Sequence, residues 1–306
     1  MTNELKYREL VSGSLGVGLY WLWKGSFYYE DEWVELLLLL GAMVFVPLAM
    51  RQSGTLKTKA ERGVVIWSTW ALLLAYLQEP GLVAALFALP WLMVSLWLFD
   101  RALKKLLLSP LALVDKVHFA AYLYFPIGQL AAFSDRLGWA PLGFSPIIIL
   151  LTAAHFHYAG FLLPWVLANL LGRKVPSYWQ RGVAWAVLLG IPAVAVGITS
   201  SQFGVDPWVE TLAATIMALG GLGVAFWHAR LALEAGQVLT QRLASLGLFL
   251  CLGTGMILAL LYGWRNYFPL SFLSIPWMYE VHGTMNTLGV GVFGILVNRK
   301  TSADKH

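Results

Sequence analysis

The sequence predicts an all-α fold, a polytopic transmembrane helix bundle, and three observations predict it. Of 306 residues, 59% are hydrophobic and 12% are charged, whereas soluble domains carry roughly 25% charged residues. Apolar stretches near the length of about 20 residues that a helix needs to cross a bilayer recur along the whole chain. Basic residues gather in every second turn between those stretches, which is the pattern of the positive-inside rule.

Nine strong spans follow in order near 31–50, 62–78, 80–100, 112–134, 145–171, 180–200, 208–228, 241–263 and 275–298. One doubtful N-terminal span, near 10–28, holds four glycines and Lys24. Strands are not expected, because an open sheet edge in lipid leaves backbone groups unpaired and the alternation of an outer-membrane barrel is missing. The turns after the first, third, fifth and seventh strong spans hold Arg51 to Arg62, Arg101 to Lys116, Arg173 to Arg181, and Arg230 with Arg242. Lys6 and Arg8 at the start, and Arg299, Lys300 and Lys305 at the end, fall on the same side. Of 21 basic residues, only Lys24, Arg136 and Arg265 break the alternation. Both termini are therefore placed on the cytoplasmic side.

Short loops leave no room for a soluble domain, so residues 1–306 read as one transmembrane domain. The polar start, Met1 to Leu10, predicts no cleaved leader. Cys251 stands alone in an apolar run, which excludes an intrachain disulfide. The net charge of +5 is spread between apolar runs, so it reads as topology rather than as a nucleic-acid surface. Pro47, Pro90, Pro126, Pro164 and Pro192 predict kinks. Glycines at 220, 221, 223, 289, 291 and 294 predict close helix contacts.

Ionisable groups in lipid are costly and usually face the bundle interior. Five of the six histidines fall in or beside spans: His118, His155, His157, His228 and His282. On the predicted topology, His155, His157 and His282 lie in the outer half of the bilayer, and His118 and His228 near the cytoplasmic ends. Tyr279, His282 and Asn286 share a helix face, and Glu280 is turned away from it. His155 and His157 are about 200° apart around their helix, so they cannot easily chelate one ion.

Two strings, Ala154-His155-Phe156-His157-Tyr158-Ala159-Gly160-Phe161 and Glu280-Val281-His282-Gly283-Thr284-Met285-Asn286, with the many-span layout, resemble the YndJ-like family of bacterial membrane proteins. That resemblance implies an inner-membrane protein and names no reaction. The first string is also similar to the His-Phe-His-Tyr helix of heme–copper oxidase main subunits. Carried over, it implies His157 or His155 with His282 as an axial heme pair. The chain lacks that family's adjacent His-His pair and its His-x-x-x-Tyr motif, so no copper site of that kind is implied.

The leading expectation is a metal or heme site with His155, His157 and His282 as ligands, and Glu280, Asn286 or Tyr158 holding the imidazoles. The alternative is a metal-free enzyme acting on a lipid or isoprenoid, with Glu280 and His282 moving protons and Tyr158 and Asn286 assisting. A transporter lined by groups such as Gln129, or a scaffold whose histidines tie helices together, completes the set. The partners expected are the lipid bilayer and a lipid or isoprenoid ligand, with no nucleic acid.

Overall fold

The computed structural model describes residues 8–24, 30–108 and 111–299. Lys6, Lys300, Lys305, His306 and the end of the 10–28 segment lie outside the described residues. Every regular element described is helical. In order they are α1 (Arg8–Lys24), α2 (Asp31–Gln52), α3 (Lys59–Tyr76), α4 (Leu82–Leu108), α5 (Leu113–Leu137), α6 (Pro146–Leu171), α7 (Tyr178–Gln202), α8 (Trp208–Ala232), α9 (Leu239–Gly263) and α10 at 275–297.

Six of these, α2, α4, α6, α7, α8 and α9, are long and apolar enough to cross a membrane. The expected count of nine is therefore not matched. The other three expected spans are helical, but polar residues dilute them. Helix α3 opens with Lys59, Glu61 and Arg62. Helix α5 carries Asp115, Lys116, His118, Gln129, Asp135 and Arg136. Helix α10 carries Glu280, His282 and Asn286.

Four stretches wind as π-helix: Gly41–Phe45 in α2, Phe156–Leu162 in α6, and Met278–Gly283 and Thr287–Phe293 in α10. The first two end just ahead of Pro47 and Pro164. Proline offers no N–H to the carbonyl four residues back, and a wider i→i+5 turn is one way for the helix to accommodate the gap. Such turns are frequent at functional sites.

The chain divides into two compact units. Unit 1 holds α1 to α4, α5 from Ala121 and α6 up to Leu162. Unit 2 holds α5 up to Ala120, α6 from Leu163, and α7 to α10.

In unit 1, α2 is the most enclosed helix, with Leu38, Leu39, Ala42, Val46, Ala49 and Met50 fully buried. Helix α1 lies against its π segment at Gly13, where a Cβ would stand 2.2 Å from the Met43 carbonyl oxygen. No residue with a side chain fits there without moving backbone. Helix α3 packs along α4. In unit 2, α7, α8 and α9 are successive neighbours. Gly190 faces Met217 and Gly197 faces Glu210, so α7 and α8 run antiparallel. Helix α10 lies along α9, where a Cβ on Gly289 would come 3.0 Å from the Leu252 amide nitrogen.

The outward faces are apolar. Leu243, Leu246, Leu250, Ile257 and Leu261 form an exposed stripe on α9, and Leu212, Ile216, Leu219 and Phe226 one on α8. In water such stripes would be sites of association. In a bilayer, lipid is their solvent.

Candidate functional site

His157 lies in the π segment Phe156–Leu162 and is fully buried. Its Nδ1 stands 2.8 Å from the Ala153 carbonyl oxygen, one turn back. A carbonyl oxygen can only accept, so Nδ1 carries the proton and Nε2 presents its lone pair. Two donors converge on that lone pair: the Gln129 Nε2 amide of α5 at 3.0 Å and the Trp91 Nε1 indole of α4 at 3.3 Å. This orients the carboxamide as well, since Gln129 must turn its NH2 group to the ring. Its Oε1 then points elsewhere, buried and with no donor among the described residues. Phe125 stands edge-on to the imidazole at 5.5 Å. On the α2 side, a Cβ on Gly41 would come 3.0 Å from the His157 Cβ, so glycine lets α2 pass close to the ring.

His282 lies in another π segment, Met278–Gly283, and is buried. Its Nδ1 donates to the Gly255 carbonyl of α9 at 2.8 Å, which again leaves Nε2 as the acceptor. The Asn286 Nδ2 amide, one turn on in α10, donates to it at 2.9 Å. A Cβ on Gly255 would stand 3.2 Å from Asn286 Oδ1, so the small residue lets α9 and α10 close around this pair.

The remaining sequence-predicted residues do not gather around either ring. His155 is exposed while His157 is buried, as their angular separation requires. Tyr158 is buried and donates through its hydroxyl to the Leu37 carbonyl of α2 at 2.7 Å. Leu37 lies four residues ahead of Gly41, where α2 passes into its π segment. Glu280 is exposed, and its main-chain carbonyl, not its carboxylate, receives the Thr284 hydroxyl. His118 is half-buried with its ring edge-on to Phe119 at 5.6 Å. His155, His157 and Tyr158 belong to unit 1, and Glu280, His282 and Asn286 to unit 2. Among the described residues, no group of three His, Cys, Asp or Glu side chains is placed to hold a metal ion.

Trp91 is the His157 partner that sequence reasoning missed. Nothing local marks it, because it lies 66 residues from the ring it serves. Also missed was a buried ionic network in unit 1. Arg136 bonds Asp135 at 2.8 Å and Glu35 at 3.4 Å, and its guanidinium lies over the Tyr76 ring at 4.2 Å. Tyr76 donates to Asp135 at 3.2 Å, and Tyr20 donates to Glu35. Lys24 lies 3.6 Å from Glu35 and 3.7 Å from Glu32. The third exception to the charge alternation, Arg265, pairs with Glu210 at 2.8 Å in unit 2. So each of the three basic residues that break the charge alternation pairs with a carboxylate. That was the available signal: a cation out of pattern needs a partner.

Residues 36–290 match the family described as YndJ-like protein. Among curated proteins, the chain is similar to the uncharacterized membrane protein YndJ of Bacillus subtilis (strain 168). The two are 28% identical over 269 residues, which is 84% of this chain and 46% of that protein. The chain thus spans about half the length of this relative. No solved structure matches it.

Proposed function

The chain belongs to the YndJ-like protein family, and from that premise we propose that this integral membrane protein uses the His157–Gln129 pair to bind the polar end of a membrane-soluble ligand. The observation that carries the reading is the Gln129 Oε1 atom, buried without a donor beside a histidine whose own bonds fix the amide's orientation. An unmet acceptor in an apolar interior is costly. A hydroxyl or amine on a lipid or isoprenoid supplies the missing donor. The neutral imidazole holds the carboxamide in place without bringing a charge into the membrane. On the same reading, the basic turns and both termini face the cytoplasm.

A heme or transition metal is the second reading, favoured by one feature. Metal-bound imidazoles usually donate their second ring N–H to a carbonyl or carboxylate, and both His157 and His282 do so. Their Nε2 atoms, however, already accept from Gln129 with Trp91 and from Asn286. The residues as arranged do not fit a metal ion. Proton transfer between Glu280 and His282 is not favoured either, because the Glu280 carboxylate is exposed and makes no bond to that ring.

The test is the full chain purified in mild detergent, as wild type and as Gln129→Leu. Absorption, metal content and the mass spectrum of extracted lipids are measured together. The expected result is a colourless, metal-poor protein carrying an alcohol- or amine-bearing amphiphile that Gln129→Leu loses. A Soret band or stoichiometric metal that disappears in His157→Phe would instead establish the second reading. Identical lipid profiles in both proteins would reject the first.

A further inference from the structure

We infer that His228 and Arg173 in unit 2 form a separate binding site for a phosphate-class anion. His228 lies in α8 and is fully buried, and neither ring nitrogen has a hydrogen-bond partner among the described residues. His157 and His282, in contrast, have both nitrogens engaged. A neutral imidazole always presents one donor and one acceptor. Leaving both unmet in an apolar interior is the sort of exception that calls for a missing partner.

The surroundings say what kind of partner. His228 lies one turn before the end of α8 at Ala232, and the field of the Arg173 charge reaches it. The Arg173–Lys174 turn after α6 is tied to the end of α8 by the Lys174–Glu234 pair at 3.4 Å. With Lys174 committed to Glu234, the exposed Arg173 guanidinium makes no ion pair among the described residues. A metal cation is disfavoured beside that guanidinium. A tetrahedral oxyanion satisfies both groups, with one oxygen accepting the imidazole N–H and others facing the guanidinium fork. Arg173 is the exposed member of the pair and His228 the buried one. The anion is either a lipid phosphate headgroup or free phosphate.

The test labels histidine with nitrogen-15 in the full chain and follows the His228 ring signals, assigned by their loss in His228→Phe. Three conditions are compared: the protein in a maltoside detergent, which carries no phosphate, the same sample with inorganic phosphate, and the same sample with added phosphatidylglycerol. A shift with inorganic phosphate identifies a free-phosphate site. A shift with phosphatidylglycerol alone identifies a headgroup site. In either case, Arg173→Gln should weaken the effect about tenfold, as expected for loss of one charge-assisted hydrogen bond. If neither addition moves the His228 signals, or if Arg173→Gln leaves the titration unchanged, the inference is overturned. Should His228→Phe fail to fold, His228→Asn serves for assignment, and the wild-type titrations still decide.

Discussion

The two histidine sites reach the same protonation state by opposite construction. At His157 the carbonyl that fixes the tautomer is local, Ala153 one turn back, and the amide comes from another helix, Gln129 of α5. At His282 the carbonyl comes from another helix, Gly255 of α9, and the amide is local, Asn286 one turn on. Both rings sit in π segments, and both end with Nδ1 protonated and Nε2 accepting. The difference lies in what is left over. The His282 ring has both nitrogens engaged, Nδ1 by Gly255 and Nε2 by Asn286. The His157 ring has two donors from two helices, and the amide that serves it carries a buried, unmet oxygen. One site is closed, and the other retains an open acceptor.

The ionic residues sharpen the contrast between units. Arg136 in unit 1 and Arg265 in unit 2 both break the charge alternation, but their side chains are 7% and 29% exposed. Truncating one member of a buried pair costs about 3 to 5 kcal/mol, and an exposed pair is worth about 1 kcal/mol or less. Arg136→Met should therefore lower unfolding stability in detergent far more than Arg265→Met. Equal losses would mean that the unit 1 network is solvated in the membrane protein.

The next largest effect is expected at the rings. His157→Leu strands the Gln129 amide and the Trp91 indole and should cost about 3 kcal/mol, and His282→Leu should cost about 2 kcal/mol. Chemical denaturation of the two variants side by side checks the order. The carboxamides should separate the sites more finely. Gln129→Leu removes a bond and an unmet acceptor together, so stability should change by less than about 1 kcal/mol. Asn286→Leu removes a bond with no such relief and should cost about 1 to 2 kcal/mol. The same loss in both would remove the distinction between open and closed sites.

The smallest effect lies outside both sites, at the start of α3. The Thr58 amide, with the Lys57 amide and Arg101, holds the Glu61 carboxyl below its usual range. In return, the Thr58 hydroxyl accepts from the Glu61 amide at 3.1 Å. Thr58→Ala should cost about 1 kcal/mol. A lowered carboxyl pKa gives stability that is full above the unfolded value and is lost as pH falls through the folded one. The stability gap between wild type and Glu61→Gln should accordingly close as pH falls below 4.5, the ordinary glutamate value.

Much of the fold was legible in the sequence, because helices in lipid must satisfy their backbone internally and so announce themselves as long apolar runs. The count was less legible. Helices α3, α5 and α10 carry enough charge or polarity to blur that signal, and among the described residues six helices keep an apolar stretch long enough to cross a membrane. The π segments had a partial cue in Pro47 and Pro164 and none in α10. Of the two sites, the His282–Asn286 pair follows from i, i+4 spacing on one helix. The His157 cluster does not, because Gln129 and Trp91 lie 28 and 66 residues away and meet the ring through tertiary packing alone.

The central claim is that His157 is a neutral imidazole protonated on Nδ1, with Nε2 held by Gln129. Nitrogen-15 spectra of histidine-labelled protein in nanodiscs, with His157 assigned by its loss in His157→Phe, test it most directly. The account predicts a protonated Nδ1, a bare Nε2, and an Nε2 signal that moves in Gln129→Leu while His282 stays put. A proton on Nε2, or an Nε2 shifted or broadened by a bound metal, would contradict it.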